Sequence, residues 1–320
     1  MMQTAVTEAC RDISSPGASP CVCLCRSGEL WSRVRQLCPD CGRRLPRLYL
    51  GDGVKVYEGF SGAMHGGDLF PVQPDLCLGF DVSVEPARPL LVYQLRSDPV
   101  TRSARAVAVA KALANSDSGL LPRRLRAFSR PSGSYLVQDL DIPKPALLSK
   151  AGGQLEVERV MDIARRCAIL LGEFAAAHAG HRVPAFMGIF PHNMVASLDE
   201  RCPDSRLVDI SGSIDIWGDM SNRGFLSRSG SVSVAAFLPP EVKTDPDHLG
   251  PKADIYLLGA TLLYVLAGQL PDEVMRGDKK PQWKAALNRK IRRFIVRCLI
   301  STPFRRPSVA EAIEVFSGER

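Results

Sequence analysis

The cysteines are the residues whose type and spacing best suit chemistry. Cys38-Pro39-Asp40-Cys41-Gly42 sets two thiols with two residues between them, a knuckle in which both sulfurs can face one ion while Gly42 allows the tight turn. Upstream, Cys21-Val22-Cys23-Leu24-Cys25 offers two more sulfurs, either Cys23 with Cys25 or Cys21 with Cys25. Four thiolates at such spacing suit tetrahedral Zn²⁺, and a segment this short has too little core to fold unaided. Six of the ten cysteines fall within the first 41 residues. Residues 1–46 are therefore expected to form a Cys-rich head with structural zinc. Cys202 and Cys298 read as a loop thiol and a core residue. His178 and His181 invite a metal reading, but no Glu or Cys lies nearby at helical spacing, and helix-end histidines that favour the dipole are expected instead.

The elements behind the head change character once. Between 47 and 141 the chain is rich in Gly and Pro, with β-prone runs GVKVYEGF, LCLGFDVSV, PLLVYQL and SYLVQDL that predict a small antiparallel sheet. A helix is expected over Thr101 to Asn115. From 142 to 320 helical spacing dominates. VERVMDIARRCAILLGEFAAAHA predicts a long, largely buried helix, and Ile255 to Ala267, apolar nearly all round, should sit at the centre of a helical domain. KAALNRKIRRFIVRCLI and SVAEAIEVF are amphipathic and should pack around it, the latter opened by a capping box of Ser308 and Glu311. The polar stretch from Ile210 to Ala235 is a long loop of the kind that carries function.

The chain of 320 residues carries a net charge of +7 spread along its length and is 45% hydrophobic. That excludes a disordered or collagenous chain and favours acidic partners only weakly. No stretch approaches the ~18 uninterrupted apolar residues of a membrane span. The first residues lack a secretory signal, so an intracellular, cytoplasmic or nuclear setting with reduced thiols is expected.

Three motifs of the helical half stand in a fixed order: Phe186-Met187-Gly188-Ile189-Phe190-Pro191-His192-Asn193 followed by Val208-Asp209-Ile210-Ser211; Pro239-Pro240-Glu241 followed by Asp254-Ile255-Tyr256-Leu257-Leu258-Gly259; and Pro303-Phe304-Arg305-Arg306-Pro307-Ser308. In this order they resemble the large lobe of the eukaryotic-type protein kinase family, over roughly residues 90–317. The resemblance implies an α+β, two-lobe kinase-like fold: a small β-rich N-lobe over 47–141 and a helical C-lobe over 142–320, behind the zinc head. It implies that Glu241 pairs with Arg306, whose planar fork suits a carboxylate. It also implies that Asp254 accepts backbone N–H bonds from the catalytic-loop turn. The Cys-rich head is similar to the zinc ribbons or knuckles that contact protein or nucleic acid.

The same alignment exposes departures. Gly188 stands where the family places its proton-accepting Asp, and Phe190 stands where a Lys steadies the transferred phosphoryl. Phe186-Met187 replaces the His-Arg that precedes the Asp. Gln94, in Val92-Tyr93-Gln94-Leu95, stands where a Lys would hold the nucleotide phosphates, and the helix expected over 101–115 contains no Asp or Glu to pair with it. Asn193 and Asp209 match the family's Mg²⁺ ligands, an amide and a carboxylate oxygen suited to a hard cation. ATP and Mg²⁺ binding is therefore expected to be weak. Gly51 to Gly59 and Gly59 to Gly67 are candidate phosphate loops, with a hairpin or linker turn favoured for both.

These residues predict a catalytically impaired pseudokinase that acts as an interaction scaffold for other proteins, an active kinase or its substrate among them. A divergent but active serine/threonine kinase is the alternative, with Asp199, Asp204 or Asp215 as a substitute base. A zinc-dependent nucleic-acid-binding protein is a second alternative, resting on Arg123-Arg124-Leu125-Arg126 and Arg292-Arg293. These arginines are expected on exposed turns and helices, so nucleic acid is not favoured.

Overall fold

A computed structural model describes residues 48–56, 76–84, 88–95, 115–122, 124–130, 133–139, 145–151, 155–178, 185–207, 234–242, 249–275, 280–283 and 287–318, with Leu113, Ile142 and Thr244. The head cysteines, Asp209, Asp215, nearly all of the helix expected over 101–115 and the stretch 210–233 lie outside the described residues. The fold is mixed α+β. The chain divides into two compact units, Met1–Ala104 with Pro122–Asp141, and Arg105–Leu121 with Ile142–Arg320.

In the first unit six strands form one antiparallel sheet: β1 (Leu48–Gly51), β2 (Val54–Val56), β3 (Leu76–Asp81), β4 (Arg88–Leu95), β5 (Leu125–Arg130) and β6 (Gly133–Asp139), in the order β1-β2-β3-β4-β6-β5. Asp52 and Gly53 both have positive φ, 48° and 78°, the geometry of a two-residue hairpin turn that pairs Gly51 with Val54. The first glycine-rich candidate therefore opens as a hairpin. One face of the sheet buries Leu50, Val54, Val56, Leu90, Val92, Tyr135 and Val137, with Phe128 packed against them. Val92 stands opposite Val137, and Gln94 opposite Tyr135.

Strand β5 takes in Arg126, which was expected on an exposed turn, while Arg124 just before the strand is exposed as expected. Arg126 Nη2 donates to Asp81 Oδ2 at 3.0 Å, although β4 and β6 separate their strands. Burial alone would raise the pKa of Asp81, but hydrogen bonds from Ser83 and the Arg126 charge outweigh it and hold the carboxyl below its usual range.

The second unit is built on helices and a small sheet of β7 (Pro145–Leu147), β8 (Met194–Ser197) and β9 (Ser205–Leu207), in that order. Helix α1 is Leu148–Ala151, α2 Val157–Ala177, α3 Pro251–Ala267, α4 Pro271–Met275, α5 Arg289–Cys298 and α6 Val309–Ser317. Helix α3 is buried along most of its length, as its uniform apolarity requires. It starts with Pro251 after Gly250 and stops at Gly268, whose φ of 67° is the left-handed conformation of a helix C-cap. Helix α5 begins later than its apolar pattern suggests because the Asn288 side chain accepts from Lys290 N and caps it there.

The capping box of α6 is half formed. Ser308 Oγ accepts from Glu311 N at 3.0 Å, but the Glu311 carboxylate pairs with Arg297 of α5. The segment 115–121 belongs with the helical unit, not with the strands that flank it in sequence. Leu207 N donates to Leu120 O at 2.8 Å, and Arg166 of α2 donates to the carbonyls of Ser118 and Gly119.

Gly259 lets α3 and α5 approach closely. A Cβ built there would lie 2.3 Å from Cys298 Cβ and 3.2 Å from Ile295 O, atoms that cannot swing aside. At Gly172 in α2 the nearest atom to such a Cβ is the tip of Ile313, at 3.0 Å. Gly259→Ala is expected to lower stability by ~1–3 kcal/mol through overpacking, while Gly172→Ala changes it by less than ~1 kcal/mol. Urea denaturation of the two variants checks the contrast, and equal midpoints would contradict it.

Candidate functional site

The loop 185–193 is held by polar groups on its own backbone and on α3. Asp254, in the first turn of α3, is 2% exposed. Its Oδ2 accepts from Phe186 N at 2.8 Å and its Oδ1 from Met187 N at 2.6 Å. Two turns further along α3, Thr261 Oγ1 donates to Ile189 O at 3.2 Å. Asn193 donates from Nδ2 to Gly188 O at 2.9 Å and from its backbone N to Phe190 O at 2.9 Å. Ala185 N donates to Leu249 O. The buried loop thus satisfies these backbone groups without water.

These bonds fix an uncommon backbone. Met187 has a φ of 59°, a left-handed conformation that costs a residue with a side chain roughly 1 kcal/mol. The turn directs Phe186 across the position a side chain at 188 would take: a Cβ on Gly188 would lie 2.6 Å from Phe186 Cε1. The Phe186 ring is itself held edge-on to Phe174 of α2, with centroids 5.2 Å apart. At Gly188, then, the space for a side chain is filled by an aromatic ring.

Burial raises the pKa of Asp254 to about 7, against the two backbone N–H bonds, which pull it down. Because the folded value lies above the ordinary 3.8, the contribution of Asp254 to stability is greatest below that value and declines as pH rises toward about 7. Asp254→Asn leaves one of the two N–H groups facing an amide –NH₂. It is expected to cost roughly 1–3 kcal/mol and to remove this decline. Thermal melts of both proteins across that pH range check it; parallel profiles would contradict the assignment.

The first turn of α3 also receives Arg306, whose five donors are all engaged. Its Nη1 and Nη2 donate to Glu241 Oε1 and Oε2 at 2.5 and 2.7 Å. The remaining donors reach Ile300 O, Lys252 O and Ser301 O at 2.7, 2.9 and 3.0 Å. The guanidinium lies over the Tyr256 ring, 4.8 Å from its centroid. Lys252 Nζ donates in turn to Arg306 O. A buried, two-pronged pair of this kind is costly to break from one side. Arg306→Lys, which keeps the charge and loses the fork, is expected to destabilise the chain by ~2–4 kcal/mol in urea denaturation.

The remaining sequence candidates divide by where they lie. Gln94 sits in β4 of the other unit. Asp209 is outside the described residues, but the register sets Met194 opposite Leu207. Leu207, the last described residue before Asp209, thus lies beside the residue that follows Asn193. Of the proposed substitute bases, Asp204 is committed to Arg206 and Arg166, at 2.5 and 3.2 Å. Burial would raise its pKa, yet the Arg206 hydrogen bond and the two positive charges hold it below its ordinary value. Asp199 accepts from Arg201 N at 3.0 Å, in the connection between β8 and β9.

The arginine cluster was not foreseen. Arg166 also donates to Ser205 Oγ at 2.9 Å, and Arg206 to Gly119 O at 2.8 Å, so together they tie α2, β9 and the 118–120 segment. The sole signal in sequence is a charge inside an apolar helix. Among the described residues no group of three or more His, Cys, Asp or Glu side chains could hold a metal, and no helix is long and apolar enough to cross a membrane. Cys298 is buried and Cys202 exposed. No family model matches the chain, and no curated protein matches it as a relative.

Proposed function

We propose that this chain is a pseudokinase: a two-lobe, kinase-like protein whose phosphotransfer apparatus is dismantled and whose work is to hold other proteins, an active kinase or its substrate among them. The observation that carries the reading is the filled space at Gly188. The position that would seat the proton acceptor has no side chain, and the Phe186 ring stands 2.6 Å from where a Cβ would be. The contacts that hold the fold support the same reading, because Asp254 with the 186–187 turn and Glu241 with Arg306 bond as such a large lobe needs. What holds the lobe together is kept, while residue 188 offers no group to accept a proton and Asp204 is engaged by arginines. A base replaced from nearby finds no support in Asp204, whose charge is already answered by two arginines.

Asn193 donates from Nδ2 to Gly188 O, a contact that ties the loop to itself. With Gln94 in place of a lysine, ATP and Mg²⁺ are held weakly or not at all. Zinc belongs to the Cys23, Cys25, Cys38 and Cys41 set, with Cys21 as the alternative ligand, in the head. It serves that segment's folding and no chemical step.

Incubation of the full chain with radiolabelled ATP, Mg²⁺ and generic protein substrates is expected to give no transfer above background. Gly188→Asp is expected not to create transfer, because the new carboxylate must first displace Phe186. Transfer by the native chain that disappears in Asp209→Ala would overturn the reading in favour of an active kinase. Chelation is expected to unfold the head and leave the helical unit's melting unchanged, with recovery on adding Zn²⁺.

A further inference from the structure

The scaffold reading leaves open which surface engages a partner, and one face of the helical unit answers that chemically. Helix α5 is cleanly two-sided. Ile291, Phe294, Ile295 and Cys298, at the i, i+3, i+4, i+7 spacing, are buried. Arg289, Lys290, Arg293, Val296 and Arg297 form the exposed side, and the helix contains no acidic residue. Arg297 is answered by Glu311. Among the described residues Arg289, Lys290, Arg293 and Arg305 meet no carboxylate.

Just beyond this helix the chain exposes an apolar group. The turn Pro303–Arg305 follows α5 closely in sequence, and Arg306 binds it back to the carbonyls of Ile300 and Ser301, immediately beyond the helix. Phe304, two residues before Arg306, is 82% exposed, and Val296 in the last turn of α5 is 38% exposed. An exposed phenyl forgoes roughly 2 kcal/mol of burial, and here it adjoins Arg305, which is exposed as well.

We infer that the exposed face of α5, with Phe304 and Arg305, is a docking site for an acidic protein segment that carries an apolar side chain. The inference rests on the scaffold reading and names the partner's chemistry. Carboxylates would answer Arg289, Lys290, Arg293 and Arg305, and the apolar residue would cover Phe304 and Val296. The observations favour a peptide over a nucleic acid. The basic row from Arg289 to Arg297 is only about 12 Å long, too short to follow more than a few phosphates. Val296 offers no ring on which a base could stack, whereas an apolar side chain can cover it.

The test uses the full chain and two fluorescein-labelled peptides, one of Glu residues around a central Leu-Leu and one with Ser-Ser in its place. The Leu peptide is expected to bind at near-physiological salt. Combined Arg289→Glu, Lys290→Glu and Arg293→Glu should weaken both peptides by on the order of tenfold or more. Phe304→Ala should weaken the Leu peptide alone. Equal binding by the native and charge-reversed chains would overturn the inference. So would a stronger, equally Arg-dependent binding of single-stranded DNA or of phosphatidylserine vesicles. All four side chains are exposed, and unchanged urea midpoints establish intact folding. If the triple variant unfolds, Phe304→Ala against the two peptides decides alone. Phosphoryl transfer with peptide binding intact sinks the pseudokinase reading only; absent transfer with peptide binding insensitive to these residues sinks the docking surface only.

Discussion

A carboxylate with almost no contact with water, set against two consecutive backbone N–H groups, is the constraint on which the rest of the helical unit depends. Desolvating a carboxylate costs several kcal/mol, and part of that cost is offset because the chain at 186–187 turns so that both N–H groups point at Asp254. The turn in turn requires the left-handed backbone of Met187. Three local costs, a buried carboxyl, two buried N–H groups and an unfavourable φ, are each tolerable only in the presence of the others. The arrangement therefore forms as a unit. Once formed, it fixes where the Phe186 ring lies and hence what position 188 can hold.

Helix α3 can act as the organiser because it is apolar nearly all round and polar at only a few chosen points. Asp254 and the backbone carbonyl of Lys252 face two different partners from a single turn, the 186–187 loop and the Arg306 guanidinium. Glu241 reaches the same guanidinium, and so the 3₁₀ turn of Pro240–Val242 joins the assembly. None of these groups has to touch a substrate. On the pseudokinase reading this separation explains how chemistry could be lost while the fold persisted. The interior network does not include a side chain at residue 188, which could shrink to nothing as a neighbouring ring moved into its space.

Much of this was legible in the residues. The all-round apolarity of 255–267 placed the central helix, and the resemblance paired Glu241 with Arg306 and Asp254 with the loop. What was not legible depends on distance in space. Strand β5 was hidden because Arg124, Leu125 and Arg126 look like a basic turn; the Asp81 carboxylate that answers Arg126 lies far away in sequence. The start of α5 followed a local competitor, Asn288, that the apolar period cannot register. The second half of the α6 capping box was lost to an ion pair with α5, a tertiary contact overriding a local one. Sequence also exposed the missing side chain at Gly188, but only coordinates show that an aromatic ring fills its space.

The arginines carry the same lesson into electrostatics. A net charge of +7 suggests acidic partners, yet the count treats every arginine alike. Arg306 uses all five donors in the interior. Arg166 and Arg206 share Asp204, and Arg126 is joined to Asp81. These charges hold each unit's own chain together and give little field to the solvent. Arg289 and Arg293 of α5 differ because the opposite face of the helix is used in packing, which leaves them exposed and, among the described residues, facing no carboxylate. Positive charge becomes a binding property only after the committed arginines are subtracted, and among the described residues the remainder includes Arg289, Lys290 and Arg293 on the exposed side of α5.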